Sequence, residues 1–149
     1  MRPVADDLIV IDAKEAMRRA QALIERYRFG PLGLWVIEDS ESGECAGWGC
    51  LKHLDKTEEI EVGYGLLRRF WGRGIATEVA RRLVRHGFED IGLERIAGVT
   101  HPDNVASRNV LSKTGLTYLG LVNRYYGRET TYFELLRSSW KPATRAGSG

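Results

Sequence analysis

The chain has 149 residues, 43% of them hydrophobic and 28% charged, with a formal net charge of +2. That length and apolar share predict one domain with a real core, while the small net charge and the lack of any long Lys/Arg run argue against a nucleic-acid partner. No stretch approaches the roughly 20 apolar residues that cross a bilayer, and the partly acidic residues Met1 to Val10 do not read as a signal peptide, so no membrane partner is expected.

In chain order, Asp12 is placed to cap a first helix, with Glu15 three residues on in capping-box fashion. Ala16, Met17, Ala20, Leu23, Ile24 and Tyr27 follow helical spacing until Gly30-Pro31 ends the element. Residues 34–38 and 45–54 read as strands around a turn at 39–43, an antiparallel hairpin. Cys45 and Cys50 fall five apart in the second of these; odd spacing sends them to opposite faces, so no mutual disulfide is expected. Reduced cysteines predict the cytosol. His53, His86 and His101 show no metal-ligand spacing, and no metal is expected.

The strand at 58–67 alternates cleanly. Ile60, Val62, Tyr64 and Leu66 share one face; Glu59, Glu61, Gly63 and Gly65 share the other. A glycine-containing turn at 68–74 leads into the strongest helix pattern, whose buried stripe is Ala76, Val79, Ala80, Leu83, Val84, Gly87, Phe88 and Ile91, with Glu78, Arg81, Arg82, Arg85 and Glu89 on the wet side. Residues 95–100 form a short strand. A short helix follows from about Asn104 to Thr114, stopped by Gly115 as a left-handed cap. Strands at about 116–126 and 130–136 flank a turn at Gly127. The fold class predicted is α/β: a mostly antiparallel sheet flanked by helices, with one parallel crossover from 58–67 to 95–100. One domain is expected over 1–140, and a small polar tail over 141–149 is expected to be disordered.

The stretch from Leu66 to Thr77 joins a strand to a helix. A helix N-terminus carries unpaired N–H groups and about half a positive charge. Gly72, Gly74 and Ala76 let a ligand approach the backbone, and Arg68, Arg69 and Arg73 add positive charge. This design suits a pyrophosphate; an ordinary tight turn with a solvated basic rim is the competing reading. The Gly-Lys-Ser/Thr of a P-loop is missing, and Thr77 stands where a dinucleotide fingerprint needs its third glycine.

The run from Glu61-Val62-Gly63-Tyr64 through Trp71-Gly72-Arg73-Gly74-Ile75-Ala76-Thr77-Glu78 resembles the coenzyme A-binding motif of the GNAT acetyltransferases, in particular the branch of the ribosomal-protein N-terminal acetyltransferases (RimJ/RimL-like). The family pattern, Gln or Arg, two residues, Gly, one residue, Gly or Ala, falls on Trp71, Gly74 and Ala76, with Trp71 the departure. A second block, His101 to Gly115, is similar to the family's next motif, and the resemblance covers about Leu23 to Arg137. The family normally opens with a strand and a helix before the element at Ala13, so the chain is expected to begin after them, leaving an unpaired sheet edge that favours a homodimer.

The resemblance implies a GNAT-like sheet with splayed central strands and transfer of an acetyl group from acetyl-coenzyme A to a primary amine, a protein N-terminus or a small amine. Tyr64, Gly65 and Leu66 would pair with the pantetheine arm and acetyl carbonyl, the Leu66 amide facing the developing oxyanion. Gly72, Arg73, Gly74, Ile75, Ala76 and Thr77 would hold the pyrophosphate, and Asn104 would contact the pantetheine arm. The tyrosine that many members use as general acid is Leu111 here, so Ser107, one turn after Asn104, is the candidate acid, against a purely local hydrogen-bonding role. Glu61 is the candidate base, with Glu59 read as a solvated strand residue. Tyr118, Tyr125, Tyr126 and Trp35 line the acceptor pocket or the core. A coenzyme A-binding domain without catalysis is the alternative function.

Overall fold

The structure is a computed structural model and describes residues 13–142, the side chains of residues 13–16 and 19 excepted. It runs α1 (Ala13–Arg26), β1 (Gly33–Glu38), β2 (Cys45–His53), β3 (Ile60–Leu66), α2 (Ile75–Arg85), β4 (Arg95–Thr100), α3 (Val105–Thr114), β5 (Thr117–Tyr125) and β6 (Arg128–Leu136). The strands form one sheet in the order β1-β2-β3-β4-β6-β5. Every neighbouring pair is antiparallel except β3 with β4, whose crossover contains α2.

The alternation in β3 decides which face is which. Ile60, Val62 and Tyr64 join Leu51, Ile96, Phe133 and Leu135 from neighbouring strands in the main core. Ala80, Leu83, Val84 and Phe88 of the α2 segment and Leu111 of α3 cover them. Each large apolar side chain buried this way contributes about 1.5–3 kcal/mol. Glu59, Glu61, Gly63 and Gly65 point to the other face, where the chemistry described below collects.

Several expectations shift in detail. α1 ends at Arg26, before Gly30-Pro31, and Met17 and Ile24 of its stripe are exposed; Tyr27 is the residue that docks, accepting the His53 backbone N–H at 3.0 Å. The Asp12–Glu15 cap lies outside the described residues, as does the tail from residue 143 onward. The long stripe of α2 changes winding: His86–Ile91 is a π turn, closed by the Leu93 N–H on the Gly87 carbonyl at 2.9 Å. Gly87 and Phe88 are nonetheless buried on the predicted side. Cys45 is exposed, Cys50 is buried, and both are free thiols.

Candidate active site

β3 and β4 are joined by a single register pair, Glu61 with Ala97. β3 continues along β2 to Leu66 opposite Gly47, and β4 continues along β6 to Thr100 opposite Thr131. The two central strands therefore part beyond Glu61 and leave an opening in the sheet. The Leu67 N–H bonds the Ala46 carbonyl at 2.8 Å. Because antiparallel pairing alternates, the backbone groups of Glu61, Gly63 and Gly65 turn toward β2, and those of Val62, Tyr64 and Leu66 turn toward β4 or the opening. The Leu66 carbonyl accepts the Trp71 indole N–H at 3.1 Å. Gly65 serves a different end: a Cβ there would stand 2.7 Å from the Trp48 ring, so the missing side chain lets the indole lie across the strand.

The turn after β3 is fastened by Phe70, buried with Ala46 and Leu66, and by that Trp71 bond. Gly72 and Gly74 both adopt left-handed backbone, φ 76° and 75°, which costs a side-chain-bearing residue about 1–2 kcal/mol. Among the described residues nothing lies within 4 Å of where a Cβ would stand at either. α2 starts at Ile75 with no side-chain cap from Gly74, so the N–H groups of Ile75, Ala76 and Thr77 have no partner inside the helix. A bare, positively polarised helix end behind two side-chain-free positions fits a diphosphate. The arginines are differently engaged. Arg69 pairs with Glu44 at 2.7 Å, and Arg73 reaches Asp39 and Glu41 at 3.9 and 3.6 Å, while Arg68 stacks over Trp71. The Arg73 side chain thus crosses the Phe70 ring and ends on the acidic residues of the β1–β2 hairpin.

On the helix-bearing face, Asn104 caps α3, its Oδ1 accepting the Ser107 N–H at 3.1 Å. Both are buried. Ser107 Oγ lies 3.2 Å from Tyr64 Oη. Burial pushes the Tyr64 phenol well above its usual range, so it stays neutral and can donate. This link ties β3 to the first turn of α3 beside the opening.

The opposite face carries two carboxylates in unlike surroundings. Glu61 is buried. Its Oε2 lies 3.3 Å from Lys52 Nζ and accepts the Tyr126 hydroxyl. Its Oε1 lies over Gly63, 4.0 Å from where a Cβ would stand. Burial raises the Glu61 carboxyl above its ordinary range despite the Lys52 charge and the Tyr126 bond. Burial is the largest single influence on Lys52 and works against its charge, but Glu61 and Tyr126 together outweigh it and hold the ammonium above its usual range. Glu59 behaves oppositely. Burial opposes its ionisation, yet Tyr125 and Tyr132, each donating at 2.5 Å, hold its carboxyl below the usual range. Arg124 stacks over both rings.

The structure thus gathers Tyr64, Leu66, Asn104, Ser107 and Glu61 around one opening, with Ser107 and Glu61 on opposite faces, and sets Gly72 to Thr77 at the start of α2. Of the four aromatics, Tyr125 and Tyr126 reach the carboxylate face. Trp35 packs edge-on to His86 and Tyr118 against Phe133, both on the helix-bearing face. Sequence reasoning missed Lys52, Asp55, Trp48 and Tyr132. The available signal was the hairpin register, which sets Lys52 directly opposite Glu61. Among the described residues no group of three or more His, Cys, Asp or Glu could hold a metal, and no helix is long and apolar enough to cross a membrane.

Comparison with known proteins adds a second line of evidence. The Acetyltransferase (GNAT) domain family matches residues 3–117. FsC-acetyl coenzyme A-N(2)-transacetylase of Aspergillus fumigatus is 38% identical over 95 residues, 58% of this chain and 40% of that protein. Uncharacterized N-acetyltransferase YoaA of Bacillus subtilis is 34% identical over 110 residues, 72% of this chain and 62% of its own length. The chain therefore spans less than two thirds of either relative. Mycobacterium smegmatis RimJ, solved in complex with CoA-disulfide, superposes with a TM-score of 0.72 at 25% identity, over 90% of this chain and 66% of that one. With a match that takes in 3–117 and a mixed sheet parting beside a bare helix end, the chain belongs to the GNAT acetyltransferase family.

Proposed function

We propose that this protein moves an acetyl group from acetyl-coenzyme A to a primary amine, a protein N-terminus or a small amine, as a cytosolic member of the RimJ/RimL-like branch. The likeness to RimJ supports the branch, and the likeness to a transacetylase keeps small amines in view. One observation carries the reading: the parted strands put the backbone of Tyr64 and Leu66 between a buried carboxylate on one face and a buried hydroxyl on the other.

In this reading the N–H groups of Ile75, Ala76 and Thr77, reached across Gly72 and Gly74, hold the pyrophosphate, and Asn104 and Tyr64 flank the pantetheine arm. The bound thioester supplies the activated acetyl group. The Leu66 N–H polarises its oxygen, a donation worth about 3 kcal/mol where charge develops. Glu61 Oε1 takes the amine proton; a carboxyl raised by burial is a better base near neutral pH than an ordinary one. Ser107 Oγ, held by Asn104 and Tyr64, passes a proton to the leaving sulfur and takes one up from water in the same step; the sulfur needs little help because a free thiol has a pKa of about 8.5.

The test is an acceptor screen with acetyl-coenzyme A against peptides with free N-termini and a set of small amines, read by the mass gain of one acetyl group. An acetylated product is expected, and Glu61→Gln should lower turnover about 10²- to 10⁴-fold with coenzyme A affinity unchanged. Leu111, a core residue where the resemblance offers a proton-donating tyrosine, favours the second reading of a coenzyme A-binding domain without turnover. Tight cofactor binding with no acetylated product across the screen would establish that alternative.

A further inference from the structure

We infer that Tyr126 is a positioning residue that, with Lys52, occupies one oxygen of Glu61 and so leaves Oε1 as the single oxygen directed at the acceptor; the inference rests on the reading of Glu61 as base. It starts from the backbone. Among the described residues two that are not glycine have positive φ, Asp55 at 53° and Tyr126 at 57°. Tyr126 and Gly127, φ 57° and 66°, form the two-residue turn between β5 and β6, a turn that needs positive φ at both positions. The two turns are tied to each other: the Tyr126 N–H donates to Asp55 Oδ2 at 2.8 Å, and the Asp55 N–H donates to Tyr126 Oη at 3.0 Å.

The consequence is a phenol with a fixed proton. A tyrosine hydroxyl has one hydrogen and two lone pairs. Asp55 N–H takes one lone pair, and Lys52 Nζ, at 2.8 Å, takes the other. The remaining hydrogen is committed to Glu61 Oε2. Lys52 approaches that same oxygen at 3.3 Å, so both donors converge on Oε2 and none of the described donors reaches Oε1. A tie between the two turns alone would need only the Asp55 contacts; aiming the ring at a buried carboxylate 65 residues away in sequence goes beyond that.

The groups on the side of Glu61 are Lys52 and Cys50 from β2, Asp55 from the β2–β3 turn, Glu59 just ahead of β3, and Tyr126 from the β5–β6 turn. Lys52 and Tyr126 favour the charged carboxylate; Asp55 and burial oppose it. Burial and the Glu61 charge in turn push the Cys50 thiol and the Tyr126 phenol up, each to about 12.

The experiment is an NMR pH titration of full-length protein carrying 13C at glutamate carboxyls, with the Glu61 signal assigned by its loss in Glu61→Gln. In Tyr126→Phe the Glu61 midpoint should rise by about one pH unit, which is about a tenfold smaller charged fraction on the acid side. The acid limb of kcat/KM, for an amine found in the acceptor screen, should shift with it at unchanged coenzyme A affinity. With 13C-labelled tyrosine, Tyr126 should ionise at lower pH in Glu61→Gln than in the natural protein. A Glu61 midpoint unmoved in Tyr126→Phe, or a Tyr126 titration unmoved in Glu61→Gln, would overturn the inference. Wild-type turnover in Glu61→Gln alongside a shifted Glu61 midpoint would instead sink the assignment of Glu61 as base while leaving the hold of Tyr126 on its carboxyl intact.

Discussion

Replacing Gly74 separates what the turn costs the fold from what it offers a phosphate. With φ at 75° and none of the described residues within 4 Å of where a Cβ would stand, alanine there meets no clash with them and feels backbone strain of about 1–2 kcal/mol. For a chain of this size that is a fall in Tm of about 2–8 °C. Glutamate brings the same strain, but its carboxylate sits at the start of α2 and returns about 0.3–1 kcal/mol in dilute salt. Gly74→Glu should therefore be slightly more stable than Gly74→Ala. Cofactor binding should go the other way. Two like charges about 6 Å apart repel by about 0.7 kcal/mol in water and about 3 kcal/mol at an effective dielectric of 20. Coenzyme A affinity should then drop about 3- to 100-fold for Glu, and less for Ala. Titration calorimetry with coenzyme A at low and high salt reads both quantities, and the extra loss from Glu should shrink at about 0.5 M salt. Natural affinity in Gly74→Glu at low salt would refute the placement of a diphosphate at this helix end.

Two further perturbations probe the supports of the site. Trp71→Phe removes the indole donor to the Leu66 carbonyl. A loss of about 0.5–1.5 kcal/mol in urea unfolding is expected, together with weaker coenzyme A binding as the turn loosens. Glu59→Gln tests the Tyr125–Tyr132 clamp through pH. The folded carboxyl of Glu59 lies below its ordinary 4.5. Its contribution is therefore present above that value and is lost as pH falls through the lower folded value. Stability of the natural protein should decline on acidification below about pH 4.5 more steeply than that of Glu59→Gln, as followed by thermal unfolding across pH 3 to 7.

What was legible in the sequence was whatever local pattern dictates. Alternation in 60–66 fixed the two faces of β3, the apolar stripe fixed the buried side of α2, and Gly115 marked the end of α3 with φ 110°. The parallel crossover followed from a strand, a helix and a second strand in succession. Contacts closed over long separations were not legible. Glu59 read as a solvated strand residue, yet it is clamped by Tyr125 and Tyr132, 66 and 73 residues away. Arg69 and Arg73 read as free charge near the turn, because nothing local reveals that the β1–β2 hairpin folds Glu44, Asp39 and Glu41 against them. The π winding at His86–Ile91 was hidden for a different reason: the same residues are buried whether that turn is wound as α or π.

The single bridge between β3 and β4 has an implication for the order of events. A gap between strands is bounded at its sides and has two faces, here with Glu61 on one and Ser107 on the other. On the proposed reading the thioester lies along the rim with Ser107 behind, and the nucleophile comes in from the front past Glu61. Neither molecule then has to depart before the other arrives, and the acyl group can pass straight across without ever being parked on a side chain.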